Sequence, residues 1–327
     1  MKSSASLIWY GTTRNRSLET MEKKYAAYDL HLHSLWSYDA CTPLEYYFSR
    51  AKELNLRAFA VTDHHNFDAF EEILETAKQF PGVGFLAGAE MTVKSPVGCF
   101  DLVCLGLPRV PPPKLQKIFD AYHELQREWG DTLCRLLQER GHNYTRADRE
   151  KLLRLYRPER TFAKQGVTHV RNEIQRDYLI AQHYVKDGKE YGELCWKAMS
   201  EDDSYEAIRL LEGSEIIDAV HDAGGIVMIA HPAGYFKGMN EKRMDEVLEA
   251  LPLDGIECAH PSVPEEYTAF YRAYCKKHDL LSSGGTDCHE DPPHAYLKLS
   301  EGRDMAWHAG ESVWLDEILE RVRLWNV

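Results

Sequence analysis

From Tyr28 the chain alternates short apolar runs with amphipathic helical stretches, pauses over 111–212, and then resumes the alternation. The runs YDLHLH, RAFAVTDH, GVGFLAGAEMTV and CFDLVCLGL precede the pause, and GGIVMIAHP, DGIECAH and LLSSGGTDCH follow it. Their length, β-branched and aromatic content and flanking breakers read as strands. Between them, Leu44, Tyr47, Phe48, Ala51 and Leu54 recur at helical spacing, and Thr42-Pro43-Leu44-Glu45 carries the pattern of a capping box with proline in the first turn. Seven strands alternating with helices predict an α/β fold built on a parallel sheet covered by helices, as a barrel or an open sheet.

Pro108 and Pro111-Pro112-Pro113 end the first alternation, and KLQKIFDAYHELQREWGDTLCRLLQER opens a stretch with helical but no strand pattern. The expected organisation is a polar N-terminal tail over 1–27, a first barrel part over 28–110, a helical insertion over 111–212 and a second barrel part over 213–327. Fifty-two acidic against 39 basic residues leave a net charge of −13, which disfavours a broad face for long nucleic acid. No apolar run approaches the ~20 residues of a membrane span. The eight cysteines are scattered without a C-x-x-C pair, and the apolar stretch Leu7 to Tyr10 is shorter than a signal-peptide core, so reduced thiols and a cytoplasmic location are expected. No pattern in the sequence specifies an oligomeric state.

The chemistry lies where the strands end. His31 and His33 stand two apart on a strand and share a face. Asp39 follows in the next loop, His64 ends the second run with Asp63 before it, and Glu90 closes the third. Asp101 opens the fourth, His231 ends the fifth, and Asp287 and His289 follow the seventh. In a parallel α/β barrel the C-terminal strand ends converge on one face, so residues scattered from 31 to 289 are expected to meet there. Five imidazoles and four carboxylates exceed what one four- to six-coordinate ion uses, and suit two or three ions of Zn, Mn or Fe. Such ions also offer a compact positive site for phosphate inside an acidic protein.

In order, D-L-H-L-H-S, S-Y-D-A, T-D-H-H, G-A-E, A-H-P and G-T-D-C-H resemble the PHP (polymerase and histidinol phosphatase) superfamily over about 28–107 and 214–291. The resemblance implies a distorted seven-stranded (β/α) barrel with a helical insertion domain and up to three divalent metals. It implies His31, His33, Asp39, His64, Glu90, His231, Asp287 and His289 as ligands, with Asp101 where the family usually has histidine. In the insertion, A-Q-H-Y-V-K-D-G (181–188) is similar to a run that relatives precede with an arginine and a histidine. The matching positions here are Asp177 and Leu179, leaving the nearby Arg171 and Arg176 as candidates to grip phosphate bidentately. His260 stands where relatives often have tyrosine and is a candidate to face substrate as leaving-group acid or to donate a hydrogen bond to a metal ligand. Asp63 and His65 are expected to orient His64, and Lys237 is a further candidate on the substrate side.

The expected function is hydrolysis of a phosphate ester of a small, nucleotide-like molecule by a metal-activated hydroxide. Three alternatives stand beside it. They are an exonuclease acting on oligonucleotide ends, a barrel hydrolase of C–N or C–O bonds, and a metal-binding PHP protein without turnover.

Overall fold

The computed structural model describes residues 25–200, 210–299 and 303–326, with the side chains of 196–200 outside the description. Most of the tail expected over 1–27 lies outside the described residues. Tyr25, at its end, donates a hydrogen bond of 2.7 Å to Asp304.

Seven strands form one sheet in sequence order: β1 (Tyr28–Leu32), β2 (Ala58–Val61), β3 (Phe85–Ser95), β4 (Gly98–Leu105), β5 (Ile226–Ile229), β6 (Gly255–Ala259) and β7 (Leu281–Gly284). Helices α1 (Leu44–Glu53) and α2 (Phe70–Ala77) follow β1 and β2. Between β4 and β5 stand α3 (Pro113–Glu139), α4 (Arg146–Leu153), α5 (Glu159–Gln165), α6 (Asn172–Ala181), α7 (Gly188–Ser200) and α8 (Gly213–Asp222). The chain continues with α9 (Glu241–Ala250), α10 (Glu265–Lys277), a 3-10 turn at Pro292–Leu297 and α11 (Ser312–Leu319).

The sheet is mixed, which corrects the all-parallel expectation. β1, β2 and β3 pair in parallel, as do β5, β6 and β7, but β4 runs antiparallel to both β3 and β5. The cause is connection length. Only Pro96 and Val97 separate β3 from β4, enough for a hairpin and far short of a crossover. Glu90 therefore does not close β3. It sits mid-strand opposite Val103, and β3 runs on to Ser95 as one arm of the hairpin.

The sheet's two edges meet. Leu32 bridges Cys288 in parallel, Asp287 N–H donates to the His31 carbonyl at 2.7 Å, and His33 N–H donates to the Cys288 carbonyl at 2.9 Å. Gly285 permits this approach, because a Cβ there would stand 2.3 Å from the His31 Cβ.

α1 buries Leu44, Tyr47, Phe48 and Ala51 against the sheet, each such burial contributing roughly 1.5–3 kcal/mol for the larger side chains. The capping box at Thr42 does not form. Pro43 is the N-cap with no side-chain cap, and the Thr42 carbonyl instead accepts from Leu35 N–H at 3.0 Å. Two apolar cores result. One joins the sheet to its covering helices, and the second gathers Leu133, Leu137, Tyr144, Leu153, Leu179 and Leu194 among α3–α7. The long helix α3 belongs to both, its first half packing on the sheet and its second half on its neighbours.

Candidate metal centre

The bodies of β3 and β4, the ends of the other strands and the loops that follow bring all nine sequence-predicted donors to one place. His33, Asp39, His64 and His289 form one group, His31, His33, Glu90 and Asp287 a second, and Glu90, Asp101 and His231 a third. In each group one donor atom per residue lies within 4.8 Å of the others. The groups overlap at His33 and Glu90. Nε2 of His31 and of His33 face each other at 3.2 Å, and both lie 3.1 Å from Glu90 Oε2. Glu90 Oε1 turns the other way, 3.1 Å from His231 Nε2. Asp287 Oδ1 stands 3.1 Å from His33 Nε2, and Asp39 Oδ2 stands 3.3–3.4 Å from His289 Nε2 and His64 Nε2. Two of the donors sit on left-handed backbone, His231 at φ 28° and Asp287 at φ 53°. Such conformations cost about 1–3 kcal/mol in a non-glycine residue and concentrate at functional sites.

The donors fit divalent ions. Glu90 Oε2 is buried and has imidazole nitrogens of His31, His33 and His64 within 3.3 Å, yet none makes a hydrogen bond of good geometry to it. Nδ1 of His64 is likewise buried without a hydrogen-bond partner. Such side chains aim at shared points between them, as metal ligands do. Burial opposes charge on His31, but Glu90, Glu257 and Asp287 outweigh it and hold its pKa well above the ordinary value. Neighbouring carboxylates likewise overcome burial to push His33 and His231 up to about 9. His289 moves down to about 4, because burial and the charge of His33 prevail over Asp39 and Asp287. Glu90, Asp39 and Asp287 stay well below the usual carboxylate range despite burial, held there by the imidazoles. A compact set of ionised carboxylates and charged imidazoles is one in which cations can replace protons.

Residues outside the nine support them. Glu257, fully inside β6, places Oε1 3.0 Å from His31 Nδ1 and accepts from His231 N–H through Oε2 at 2.6 Å, so one carboxylate positions two of the donors. Nothing in the sequence reading pointed to Glu257, although a carboxylate in the middle of the apolar run G-I-E-C-A is itself a signal. Asp29 accepts from Thr286 Oγ1 at 2.6 Å and Ala306 N–H at 2.7 Å, tying the β7 loop to β1.

The other candidates divide. Arg171 reaches the site: Nη1 donates to the Asp39 carbonyl at 3.1 Å and Nη2 to the Leu299 carbonyl at 2.6 Å. Arg176 does not, pairing with its neighbour Asp177 on the exposed side of α6, and Lys237 is exposed and outside the cavity lining. Asp63 accepts from Ser34 N–H at 2.6 Å and Ser34 Oγ at 2.7 Å, so it shapes the β1–α1 loop and not His64. His65 stacks on Tyr122, contacts Thr92 Oγ1 at 2.9 Å and Gln126 at 3.1 Å, and lines the cavity with its ring 5.5 Å from that of His64. His260 lies behind the donors. Its Nδ1 accepts from Ser262 N–H at 3.0 Å, which leaves Nε2 to carry the proton of the neutral ring, 3.8 Å from Asp287 Oδ2. It does not line the cavity, a position that suits orienting Asp287 better than reaching a leaving group.

Over the donors lies a cavity of about 470 Å³. Arg171, Lys298 and Arg303 contribute its cations, and Trp129 and Tyr38 its aromatic surface. Arg303 Nη1 donates to the Asp287 carbonyl at 2.9 Å and pairs with its carboxylate. Arg303, Lys298 and Trp129 belong to no motif, and only the folded chain brings them here.

An α/β sheet whose strand ends converge imidazoles and carboxylates beneath an open cavity defines a metal-dependent hydrolase. The family model described as PHP domain matches residues 29–251, and the chain belongs to that family. At the level of class it is a PHP-family metal-dependent phosphoesterase. It is 24% identical over 289 residues to a 5'-3' exoribonuclease of Haemophilus influenzae, covering 87% of this chain and 96% of that one. Over 85 residues it is 33% identical to a protein of Pectobacterium carotovorum named probable phosphatase, covering 24% of this chain and 34% of the relative. Its fold resembles that of a metal-dependent phosphoesterase from Bifidobacterium adolescentis, with a TM-score of 0.66 and 20% identity over 92% of this chain and 98% of that one. An amidohydrolase from Chromobacterium violaceum, solved with bound sulfate and no metal, gives a TM-score of 0.67 at 20% identity over the same shares. Among the described residues, no helix is long and apolar enough to cross a membrane.

Proposed function

We propose that the protein hydrolyses a phosphate monoester of a small, nucleotide-like molecule, with two or three divalent ions (Zn, Mn or Fe) held by His31, His33, Asp39, His64, Glu90, Asp101, His231, Asp287 and His289. The observation that carries this reading is the juxtaposition of three overlapping donor groups with Arg171, Lys298 and Arg303 around one cavity. Its volume suits a ligand the size of a mononucleotide. Glu90 serves two donor groups because its oxygens face opposite ways, whereas each imidazole nitrogen serves one ion. Ions bound there would supply Lewis acidity, neutralising phosphoryl charge and lowering the pKa of water to ~7.

The chain's own residues do the rest. Arg303 and Lys298, both on the cavity wall, bind and orient the phosphate. Arg171, engaged by two backbone carbonyls, holds Asp39 and the 299 segment in place. Trp129, stacked on His169 with ring centroids 4.1 Å apart, offers a rigid face for an aromatic base.

A phosphate-release screen over mononucleotides, nucleoside bisphosphates and sugar phosphates, run on metal-loaded protein with elemental analysis, tests the proposal. His231→Ala and Asp287→Ala should lower both metal content and turnover by at least ~10²-fold. Absence of phosphate release from every member of the panel would overturn it. The resemblance to the Haemophilus exoribonuclease across nearly its whole length supports a second reading, stepwise attack on oligonucleotide ends. Laddering of an end-labelled oligonucleotide, without phosphate release from mononucleotides, would select that reading.

A further inference from the structure

Close in sequence to the candidate metal donors lies a second donor cluster of different composition. Cys41 Sγ, an Asp291 carboxylate oxygen and a His294 ring nitrogen all lie within 4.8 Å of one another. Cys41 is 4% and Asp291 5% exposed. Asp291 pairs with His294 Nδ1, and no lysine or arginine ion-pairs with it among the described residues. A carboxylate this deeply buried ordinarily has a cationic partner. Its neighbours here are an imidazole and a thiol, both metal-binding groups. We propose that Cys41, Asp291 and His294 form an auxiliary metal site for a borderline-soft divalent ion such as Zn.

The location gives the site a purpose. Cys41 follows Asp39 by two residues, and Asp291 follows His289 by two. Cys41 N–H already donates to the His289 carbonyl at 2.9 Å, and Cys41 Sγ lies 3.7 Å from the same oxygen. An ion bound by Cys41, Asp291 and His294 ties the loop after β1 to the 3-10 turn after β7. That fixes the spacing of Asp39 and His289, whose donor atoms meet at 3.3 Å. Asp291 also lines a separate cavity of about 450 Å³, where Glu53, Glu290 and Asp304 outnumber Arg50 and Arg303. This gives a cation an acidic entrance and leaves room for a water to complete a tetrahedral shell around three protein ligands. Thiolate with imidazole selects Zn or Fe(II) over Mg or Ca.

Cobalt separates this site from the catalytic one, because none of the nine catalytic donors is a cysteine. Metal-stripped full-length protein is titrated with Co(II), and the near-ultraviolet thiolate-to-cobalt absorption is followed together with bound metal. The wild type should develop that absorption and bind about one more cobalt per chain than Cys41→Ser. His294→Gln, at a half-exposed position that should not disturb folding, should lose most of the absorption. Zinc should also slow alkylation of Cys41 in the wild type. A wild type that fills its catalytic sites with cobalt but shows no thiolate absorption overturns the proposal. So does absorption that persists unchanged in Cys41→Ser. Phosphate release is assayed separately, so failure here and failure of the phosphoesterase reading are distinguishable.

Discussion

Glu257 shows how a single buried carboxylate organises the centre. By engaging His31 Nδ1 it leaves the His31 Nε2 lone pair for a metal, and by accepting from His231 N–H it holds the left-handed turn that aims His231 at Glu90. Glu257→Gln keeps the volume and removes the charge, and should weaken metal binding by roughly 10–100-fold while the folded far-UV spectrum is retained. Metal titration checks this, and unchanged affinity would remove Glu257 from the supporting shell. His169 makes a second residue-level prediction. It is fully buried against Trp129, and burial lowers its pKa to about 4, against which its contact with Asn172 is a smaller effect. The unfolded chain therefore binds a proton that the folded one refuses between about pH 6.5 and 4. The stability from this group is present above pH 6.5 and is lost as pH falls towards 4, at up to about 1.4 kcal/mol per pH unit. Denaturant unfolding at pH 7 and pH 5 should show a shallower pH dependence for His169→Gln than for the wild type. The donors that meet here could be picked out in the sequence because most stand in a short motif at the end of an apolar run or just after it. Glu257, Arg303 and Trp129 were not, because their roles come from contacts with residues far along the chain.

At the scale of elements, strand count and the helical stretch between the fourth and fifth strands were legible from periodicity, whereas strand direction was not read correctly. The two-residue link Pro96-Val97 between apolar runs was the hairpin signal, and it reverses β4. That reversal explains why Glu90 and Asp101 come from the body of strands and not from their ends, and it leaves Asp101 paired with Thr92 and accepting from Tyr235 at 2.6 Å. Whether the sheet closes was left open by the strand pattern and answered only by the family resemblance, since the meeting of its edges rests on a backbone approach between residues 31 and 285. Gly285→Ala forces a Cβ to within 2.3 Å of the His31 Cβ and 2.7 Å of its backbone nitrogen, neither of which is a flexible side-chain end. We expect a loss of about 1–3 kcal/mol by chemical denaturation, with metal content falling in parallel because His31 and Asp287 move apart. Normal metal content in Gly285→Ala would show that the strand edges have slack that the packing does not suggest.

For the whole molecule, the metal centre joins two stretches of chain that the helices α3–α8 separate. His31, His33, Asp39, His64, Glu90 and Asp101 precede those helices, while His231, Asp287 and His289 follow them. The polypeptide already links the stretches through the pairing of β4 with β5 and the bridge between Leu32 and Cys288. Ions held by these donors would add a second link. An ion that binds only the folded state stabilises it by about 2.7 kcal/mol per site at a hundredfold excess over its dissociation constant. Chelation should therefore lower the melting temperature by several degrees, and the loss should be spatially uneven. The second core, built from α3–α7, contains none of the nine donors, although Cys41 packs at its edge. Hydrogen exchange after chelation should thus accelerate in the segments around 31–39, 229–233 and 285–291, and stay unchanged in α4 and α6. Uniform acceleration across α4 and α6 would mean that the two cores unfold as one unit, and that the metals stabilise the insertion as strongly as the sheet they sit on.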